Sequence, residues 1–229
     1  MQSSDEVPSA LLLTGGRDPY TDPWHPFAET APRIAAILES AGFAVEVSDR
    51  VAERLEELAG VDLLVVSAPV PAAPLPPLVL RSARAGLQAH LGRGGAVAGV
   101  HLGAVGLLGL QEWRTAVGAR WGERTMHPPL GAAELDVAST EATAGVDACT
   151  VVDERYTWLE MDPGAEVLLS HAHDGATHPL LWRRESGGVR AVGDALGHDA
   201  RSFDSAGHVE LLRRSFAWAA QDAGTSAGT

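Results

Sequence analysis

The fold of this 229-residue chain is constrained most by short apolar runs that alternate with segments of helical periodicity. The apolar runs are Ala10–Thr14, Phe43–Val47, Val61–Val66 and Ala96–Val100. The helical segments are Glu29–Ala41, Ala52–Leu58, Leu78–Leu91 and Val105–Val117. Strands this apolar are typical of parallel sheets that are buried on both faces. The alternation therefore predicts an α/β fold with a doubly wound, mostly parallel sheet and helices on both faces.

The second half of the chain has a different pattern. Residues 118–148 show no clear period and are polar and Pro-rich, so we expect a long excursion over the edge of the sheet. The predicted strands that follow are Glu166–Ser170, Pro179–Arg184 and Val189–Val192, and the predicted final helix is His208–Ala220. Residues 1–229 are expected to form one domain, with an ordered core over about residues 10–220 and a flexible tail over 221–229.

Charge and composition exclude several classes of partner. The formal net charge of −13 argues against nucleic acid or an anionic membrane, because both require a basic face. Cys149 is the only cysteine, so no intrachain disulfide and no Cys-rich metal site can form, and we interpret it as a small buried hydrophobe. The apolar run near the N-terminus is too short for a signal peptide or a membrane span, so a cytoplasmic location is expected.

Ionisable residues cluster just after the predicted strands. The segment Gly94–Ala104 (GGAVAGVHLGA) predicts a buried strand, a tight glycine-flanked turn and a helix, with His101 at the turn where α/β hydrolases place a nucleophile. His25 follows the first strand, and Gly197-His198-Asp199 follows a late one. His127 and the run Asp153–Tyr156 lie between these segments in the sequence. Because ligands bind outside the carboxyl ends of strands in such sheets, we expect these side chains to converge on one rim.

Each of these residues also has a purely structural interpretation. His101 would then be a buried histidine hydrogen-bonded to backbone, and His25 and His127 would be surface residues of Pro-rich loops. Glu154 would form a solvated ion pair, and His198 would cap a strand. His171, His173, His178 and His208 are assigned to this structural class. No Gly-x-Ser-x-Gly and no His-Glu-x-x-His motif is present, which excludes a serine elbow and that type of zinc protease.

Several longer segments are recognisable together. They are LLLTGG, WHPF, LESAGFAVEV, GGAVAGVHLGA, HPPL, DERY, PLLWRRESGGVRAVGDALGHD and HVELLRRSFAWAA. In this order and spacing they resemble the ThuA-like (trehalose utilisation) family from about Leu11 to Ala219, with DERY and ALGHD the most specific pieces. The family is similar in fold to class I glutamine amidotransferases, so the resemblance implies a flavodoxin-like sandwich.

The resemblance also implies which residues form the site. His101 stands where amidotransferases have their elbow cysteine, and His198 stands near their catalytic histidine, so glutamine hydrolysis by a thiolate is not expected. The family's recurrent polar positions correspond to His25, His101, His127, Glu154, Tyr156 and His198. The implied catalytic residues are His101, His198, Glu154 and Tyr156. The implied ligands of a divalent metal, zinc or manganese, are His25, His101, His127, Glu154 and His198.

The implied substrate is a carbohydrate, a disaccharide such as trehalose or a keto derivative. Trp24, Trp121 and Asp199 are the expected substrate-binding residues, and Trp158 is a further aromatic candidate for stacking on a sugar ring. Two departures from the family pattern weaken the analogy. The first loop carries a single histidine, His25, and Leu102-Gly103 follows His101 where a small hydroxyl residue is often found.

Three functional hypotheses follow from these residues. The first is a sugar-active enzyme, with or without a divalent metal. The second is a non-catalytic sugar-binding or regulatory module on the same fold, and the third is a metal-free hydrolase that uses a His–Glu pair. The expected partner is a small sugar and not nucleic acid or membrane. A homodimer is also considered, because the apolar face of Pro69–Pro77 has no obvious partner within the chain.

Overall fold

A nine-stranded sheet runs through the computed structural model, which describes residues 7–221. The strands are β1 (Ser9–Thr14), β2 (Ala44–Ser48), β3 (Leu63–Ser67), β4 (Ala96–Val100), β5 (Ala119–Arg120), β6 (Gly131–Val137), β7 (Cys149–Asp153), β8 (Glu160–Met161), β9 (Glu166–His173), β10 (Ala176–Ser186) and β11 (Val189–Asp194). The helices are α1 (Phe27–Ser40), α2 (Val51–Leu55), α3 (Pro77–Gly92), α4 (Leu102–Val105), α5 (Gln111–Val117) and α6 (Ala206–Ala219). Short 3₁₀ helices span Glu141–Thr143 and Ala200–Asp204.

The sheet has the order β2-β1-β3-β4-β11-β10-β9-β6-β7, and β5 and β8 pair separately. The pairs from β2 to β11 are parallel, and those from β11 to β7 are antiparallel. Every residue of β3 and β4 is buried. Because successive side chains of a strand point to opposite faces, this burial requires helices on both faces of the sheet. The predicted doubly wound α/β fold with a parallel core is confirmed.

Two predictions for the middle of the chain are wrong. Residues 118–148 are not only an edge excursion, since β6 lies in the main sheet between β9 and β7. Its alternating burial is too weak to stand out from a polar stretch. The single helix predicted over Val105–Val117 is two helices, α4 and α5, because Leu108 and Gly109 adopt positive φ angles of 49° and 71° between them.

Most other predicted elements are present with boundaries shifted by a few residues. The three late strands are longer than predicted, and two tight turns, at Asp174-Gly175 and Gly187-Gly188, join them with positive φ at all four residues. Cys149 is buried, as expected, and its Sγ lies 3.4 Å from Ser205 Oγ. The predicted tail over 221–229 lies outside the described residues except for Gln221. Between residues 7 and 221, no helix combines the length and apolarity that crossing a bilayer requires.

The edge strand of the antiparallel half, β7, lies close to the residues that follow β11 in the parallel half. Three strands separate β7 from β11 in the sheet order. Nevertheless, Asp153 at the end of β7 accepts a hydrogen bond of 2.7 Å from the backbone N–H of Gly197, which follows β11. β7 also packs against α6 and the 3₁₀ helix Ala200–Asp204. Residues after β7 therefore meet residues after β11 at the carboxyl edge of the parallel strands.

Candidate metal centre

The tight turn predicted at His101 is present between β4 and α4. His101 has φ 52° and ψ −111°, a conformation that side-chain-bearing residues rarely adopt outside functional sites. A Cβ on Gly103 would lie 1.9 Å from the carbonyl oxygen of Val66, and one on Gly99 would lie 2.5 Å from the carbonyl oxygen of Gly103. Only glycines allow the helix to approach the sheet this closely, so the flanking glycines are what make the elbow possible.

The environment of His101 fixes its protonation. The side chain is buried, and its Nδ1–H donates to the carbonyl oxygen of Ala195 at 3.2 Å. Burial, together with the neighbouring His25, holds the pKa of His101 well below its usual value, so the ring is neutral at pH 7. Nε2 is then the acceptor nitrogen, and Tyr156 donates its hydroxyl proton to it at 3.0 Å. Nε2 therefore lies on the side of the ring where Tyr156 and His25 approach it.

His25 meets His101 from the loop between β1 and α1. The two Nε2 atoms are 3.0 Å apart. On the other side of the ring, Nδ1 of His25 lies 2.9 Å from a carboxylate oxygen of Asp22. Burial by itself would raise the pKa of Asp22, but the Trp24 backbone N–H and His25 lower it overall, so Asp22 is a carboxylate. The contact lacks hydrogen-bond geometry, but a carboxylate this close favours the tautomer with the proton on Nδ1, in which Nε2 of His25 is an acceptor.

Glu154 and His198 complete the cluster from the segments after β7 and β11. Nδ1 of His198 lies 3.2 Å from Oε2 of Glu154, and Nε2 of His101 lies 4.0 Å from the same oxygen. Burial lowers the pKa of His198, while Glu154 partly offsets this effect. The site therefore sets three imidazole rings beside one carboxyl group, and burial lowers the pKa of two of the three rings, those of His101 and His198.

The donor atoms of His25, His101, Glu154 and His198 all lie within 4.8 Å of one another. Donor atoms around a four-coordinate zinc ion are separated by about 3.3 Å, given metal–ligand bonds of about 2.0–2.1 Å. The separations of 3.0 and 3.2 Å are of this size, and that of 4.0 Å between His101 and Glu154 is longer. The four residues thus form a cluster that can hold a divalent metal. Over residues 7–221, it is the one such group of His, Cys, Asp and Glu side chains.

The remaining expected site residues lie around this cluster. His127 is outside the four-residue group: its Nδ1 donates to the carbonyl oxygen of Pro128 at 3.1 Å and lies 3.6 Å from Oε1 of Glu154. Trp121 is 45% exposed, and its ring stands edge-on to Tyr156 with centroids 5.0 Å apart. Trp24 is 74% exposed.

Two other expected residues have partners away from the cluster. Asp199 caps the 3₁₀ helix that follows it and pairs with Arg201, whose hydrogen bonds lower the pKa of its carboxyl. Trp158 packs against Arg124 at 4.0 Å and edge-on against His178. Asp199 nevertheless acts electrostatically on His198, whose pKa it raises, so it stays a candidate for substrate binding beside the cluster.

A second layer of buried charges, which the sequence reasoning missed, supports the loop that carries His198. Asp153 accepts hydrogen bonds from the Gly197 N–H and from the hydroxyl of Ser202, and burial raises its pKa to about 7. Beneath it, Nε2 of fully buried His208 lies 2.8 Å from Oδ2 of Asp194. Asp22 was missed as well. Its position three residues before His25 is the one sequence signal that pointed to it.

Comparison with known proteins relates this geometry to a family. The ThuA family profile, described as "Trehalose utilisation", matches residues 21–219. A search of curated proteins found no match. Solved structures described as ThuA-like proteins resemble this one at low identity. That from Parabacteroides merdae has a TM-score of 0.73 and 17% identity over 94% of this chain and 91% of its own. That from Bacteroides uniformis has a TM-score of 0.69 and 14% identity over 95% and 94%.

The fold is also that of class I glutamine amidotransferases. A glutamine amidotransferase from Thermotoga maritima aligns with a TM-score of 0.50 and 13% identity, over 83% of this chain and 76% of its own. At such identities the likeness concerns the fold alone, and the elbow here carries a histidine. The family profile, in contrast, covers most of the sequence, and the protein belongs to the ThuA, or trehalose utilisation, family.

Proposed function

We propose that this protein is a divalent-metal-dependent enzyme that acts on a sugar, a disaccharide such as trehalose or its keto derivative. One observation carries the proposal. The acceptor nitrogens of His25 and His101 face each other at 3.0 Å, while Asp22 and the Ala195 carbonyl hold their protons on the opposite side of each ring. With the proton on Nδ1 of each ring, both Nε2 atoms can turn a lone pair toward one shared cation.

The donor set suits zinc or manganese, since imidazole and carboxylate ligands bind both. A bound metal of this kind acts as a Lewis acid on a sugar oxygen and lowers the pKa of a bound hydroxyl group. The chain's own residues supply the rest of the proposed chemistry. His127 lies outside the four-residue cluster with 36% of its side chain accessible, so it is the imidazole that can exchange a proton with a substrate.

The surroundings of the cluster support a sugar as the substrate. Trp121 offers an exposed indole next to Tyr156, and Trp24 lies beside His25 in the sequence. Exposed aromatic rings stack on the apolar faces of sugar rings, and hydroxyl groups around the ring fit a site that is lined with imidazoles. The family's description as trehalose utilisation agrees with this substrate class.

The test is metal uptake by matched variants. Wild-type protein, His101→Ala, His198→Ala and the control His173→Ala are loaded with zinc or manganese, dialysed and analysed for metal by mass spectrometry. His173 lies on β9 outside the cluster. We expect the wild type and the control to hold a single equivalent of metal, and the two site variants to fold but to lose it.

Two outcomes would replace the proposal with the runner-up functions. Full metal content in His101→Ala would show that the metal does not bind at the proposed site. Sugar turnover in metal-free protein would then favour a hydrolase based on the Glu154–His198 pair. Sugar binding without turnover, with or without metal, would favour a non-catalytic binding or regulatory module. No glutaminase activity is expected in either case, because no thiol stands at the elbow.

A further inference from the structure

A cavity of about 350 Å³ adjoins the proposed metal centre. Its lining includes Asp22, whose carboxylate contacts His25, and Leu102, which follows His101 in the elbow. Trp121, which packs on Tyr156, forms another part of the wall, and Arg114 lines it as well. The cavity therefore lies beside the cluster, with Asp22, which contacts His25, in its wall.

Arg114 is the unusual member of this lining. Most arginines over residues 7–221 donate side-chain hydrogen bonds or form ion pairs. The ones that do neither are Arg50, Arg81, Arg114 and Arg124, and Arg124 stacks on Trp158. Of these four, only Arg114 is not exposed. Its Nε is buried and has no acceptor within the described chain.

An unpaired, partly buried guanidinium is costly unless something outside the chain neutralises it. Burying a charge without a partner costs free energy, and a planar fork of N–H donors matches a carboxylate or phosphate better than a neutral hydroxyl. The cavity contains this one cation together with the carboxylate of Asp22. A single positive charge beside a negative one suits a monoanion better than a dianionic phosphate.

We propose that Arg114 binds a carboxylate of the substrate, so that the enzyme acts on an acidic sugar, such as a uronic or aldonic acid, with its carboxylate in this cavity. This proposal rests on the proposed function and adds the class of its substrate. The carboxylate end would be held by Arg114, while the neutral hydroxyl or keto end reaches His101 and His198. Trp121 would cover the ring between the two ends.

Binding titrations with small probes test the assignment. The affinities of the full chain for D-glucuronate, D-glucose and D-glucose 6-phosphate are measured by calorimetry, in zinc and again in chelator. The variants are Arg114→Gln, Arg114→Lys and Arg81→Gln, the last being a matched control because Arg81 is exposed, partnerless and outside the cavity. A circular-dichroism melt checks that each variant is folded.

In the wild type we expect D-glucuronate to bind about tenfold more tightly than D-glucose, which is the usual size of a charge-assisted hydrogen-bonded pair. In Arg114→Gln, the ratio of the two affinities should fall close to one, with the affinity for D-glucose unchanged. Arg114→Lys should retain part of the preference for D-glucuronate, and Arg81→Gln should retain all of it. Equal affinities in the wild type, an unchanged ratio in Arg114→Gln, or absence of binding would overturn the proposal. Tighter binding of D-glucose 6-phosphate would overturn the carboxylate in favour of a phosphate.

The chelator arm separates this proposal from the metal-dependent function. If the metal experiment fails but D-glucuronate still binds through Arg114 in chelator, the acidic-sugar site stands and the metal chemistry does not. If metal binds as proposed but the ratio is unaffected by Arg114, the metal centre stands and the substrate class is wrong.

Discussion

At the scale of single residues, the site depends on which nitrogen of each histidine carries the proton. His101 and His25 each have Nδ1 next to an oxygen, the Ala195 carbonyl and the Asp22 carboxylate. Both acceptor nitrogens consequently face inward. The two outer oxygens are therefore as much a part of the site as the rings are. Loss of such an outer oxygen typically weakens metal binding by about 10–100-fold.

Asp22→Asn tests this dependence directly. We expect the variant to fold and to bind zinc about 10–100-fold more weakly, because the amide holds the Nδ1 proton of His25 less firmly than the carboxylate does. Competition with a chromogenic zinc chelator measures the affinity. Asp147→Asn, at an exposed position outside the cluster, is the control and should bind as the wild type does. An Asp22→Asn affinity equal to that of the control would show that Asp22 does not orient His25.

At the scale of the elements, the elbow is held open by its glycines. Gly103→Ala would drive a Cβ to within 1.9 Å of the Val66 carbonyl oxygen, whereas Gly106 has nothing within 4 Å of its Cβ position and has an extended φ of −179°. We expect Gly103→Ala to lower the free energy of unfolding by about 3 kcal/mol, as overpacking against backbone does, and Gly106→Ala to be nearly neutral. Urea denaturation of both variants measures the difference. Equal stabilities would mean that the close approach of α4 to β3 is not needed.

A second prediction at this scale concerns how β7 is attached to the loop of His198. Asp153→Ala removes the acceptor for the Gly197 N–H and the Ser202 hydroxyl, so we expect faster amide hydrogen exchange over residues 195–202 and a loss of about 2 kcal/mol in stability. Asp136→Ala, an exposed acid on β6, provides the comparison and should leave exchange in that loop unchanged. If exchange after Asp153→Ala is slow in the loop, other contacts hold it.

The parallel core was predictable because its strands are continuous apolar runs between helices, and this pattern is visible within short stretches of sequence. β6 was not, because its buried residues alternate with exposed ones in a polar stretch. The elements of the site were predictable from their positions after strands. Their assembly was not, since the meeting of Glu154 with His198 depends on the antiparallel strands returning β7 across the sheet. Such long-range curvature has no local sequence signature.

At the scale of the whole molecule, buried histidines set how stability depends on pH. Burial lowers the pKa of His90 and of His171 to about 4, so each disfavours the folded state as pH falls from 6.5 to 4. Burial alone would also lower the pKa of His208, but the Asp194 carboxylate and hydrogen bonds raise it to about 9. Its stabilisation is complete below pH 6.5 and is lost as pH rises through 9. Asp153 opposes the acid trend between pH 3.8 and 7, as one group against these two and against His101 and His198, whose pKa values are also lowered.

The free energy of unfolding should therefore reach its maximum near pH 6.5 and fall by about 3 kcal/mol between pH 6.5 and 9, the size of the shift in the pKa of His208. Urea denaturation at a series of pH values, in chelator to exclude metal effects, measures this curve. In His208→Gln, the free energy of unfolding should be lower than in the wild type at pH 6.5 and should not decline further at higher pH, because Asp194 then has no cation to lose. His173→Gln, at a half-buried position at the end of β9, should follow the wild-type curve. If the free energy of unfolding of His208→Gln still declines at alkaline pH, the buried pair with Asp194 does not cause the decline. If the decline disappears in this variant, it is due to this one ion pair beneath the site.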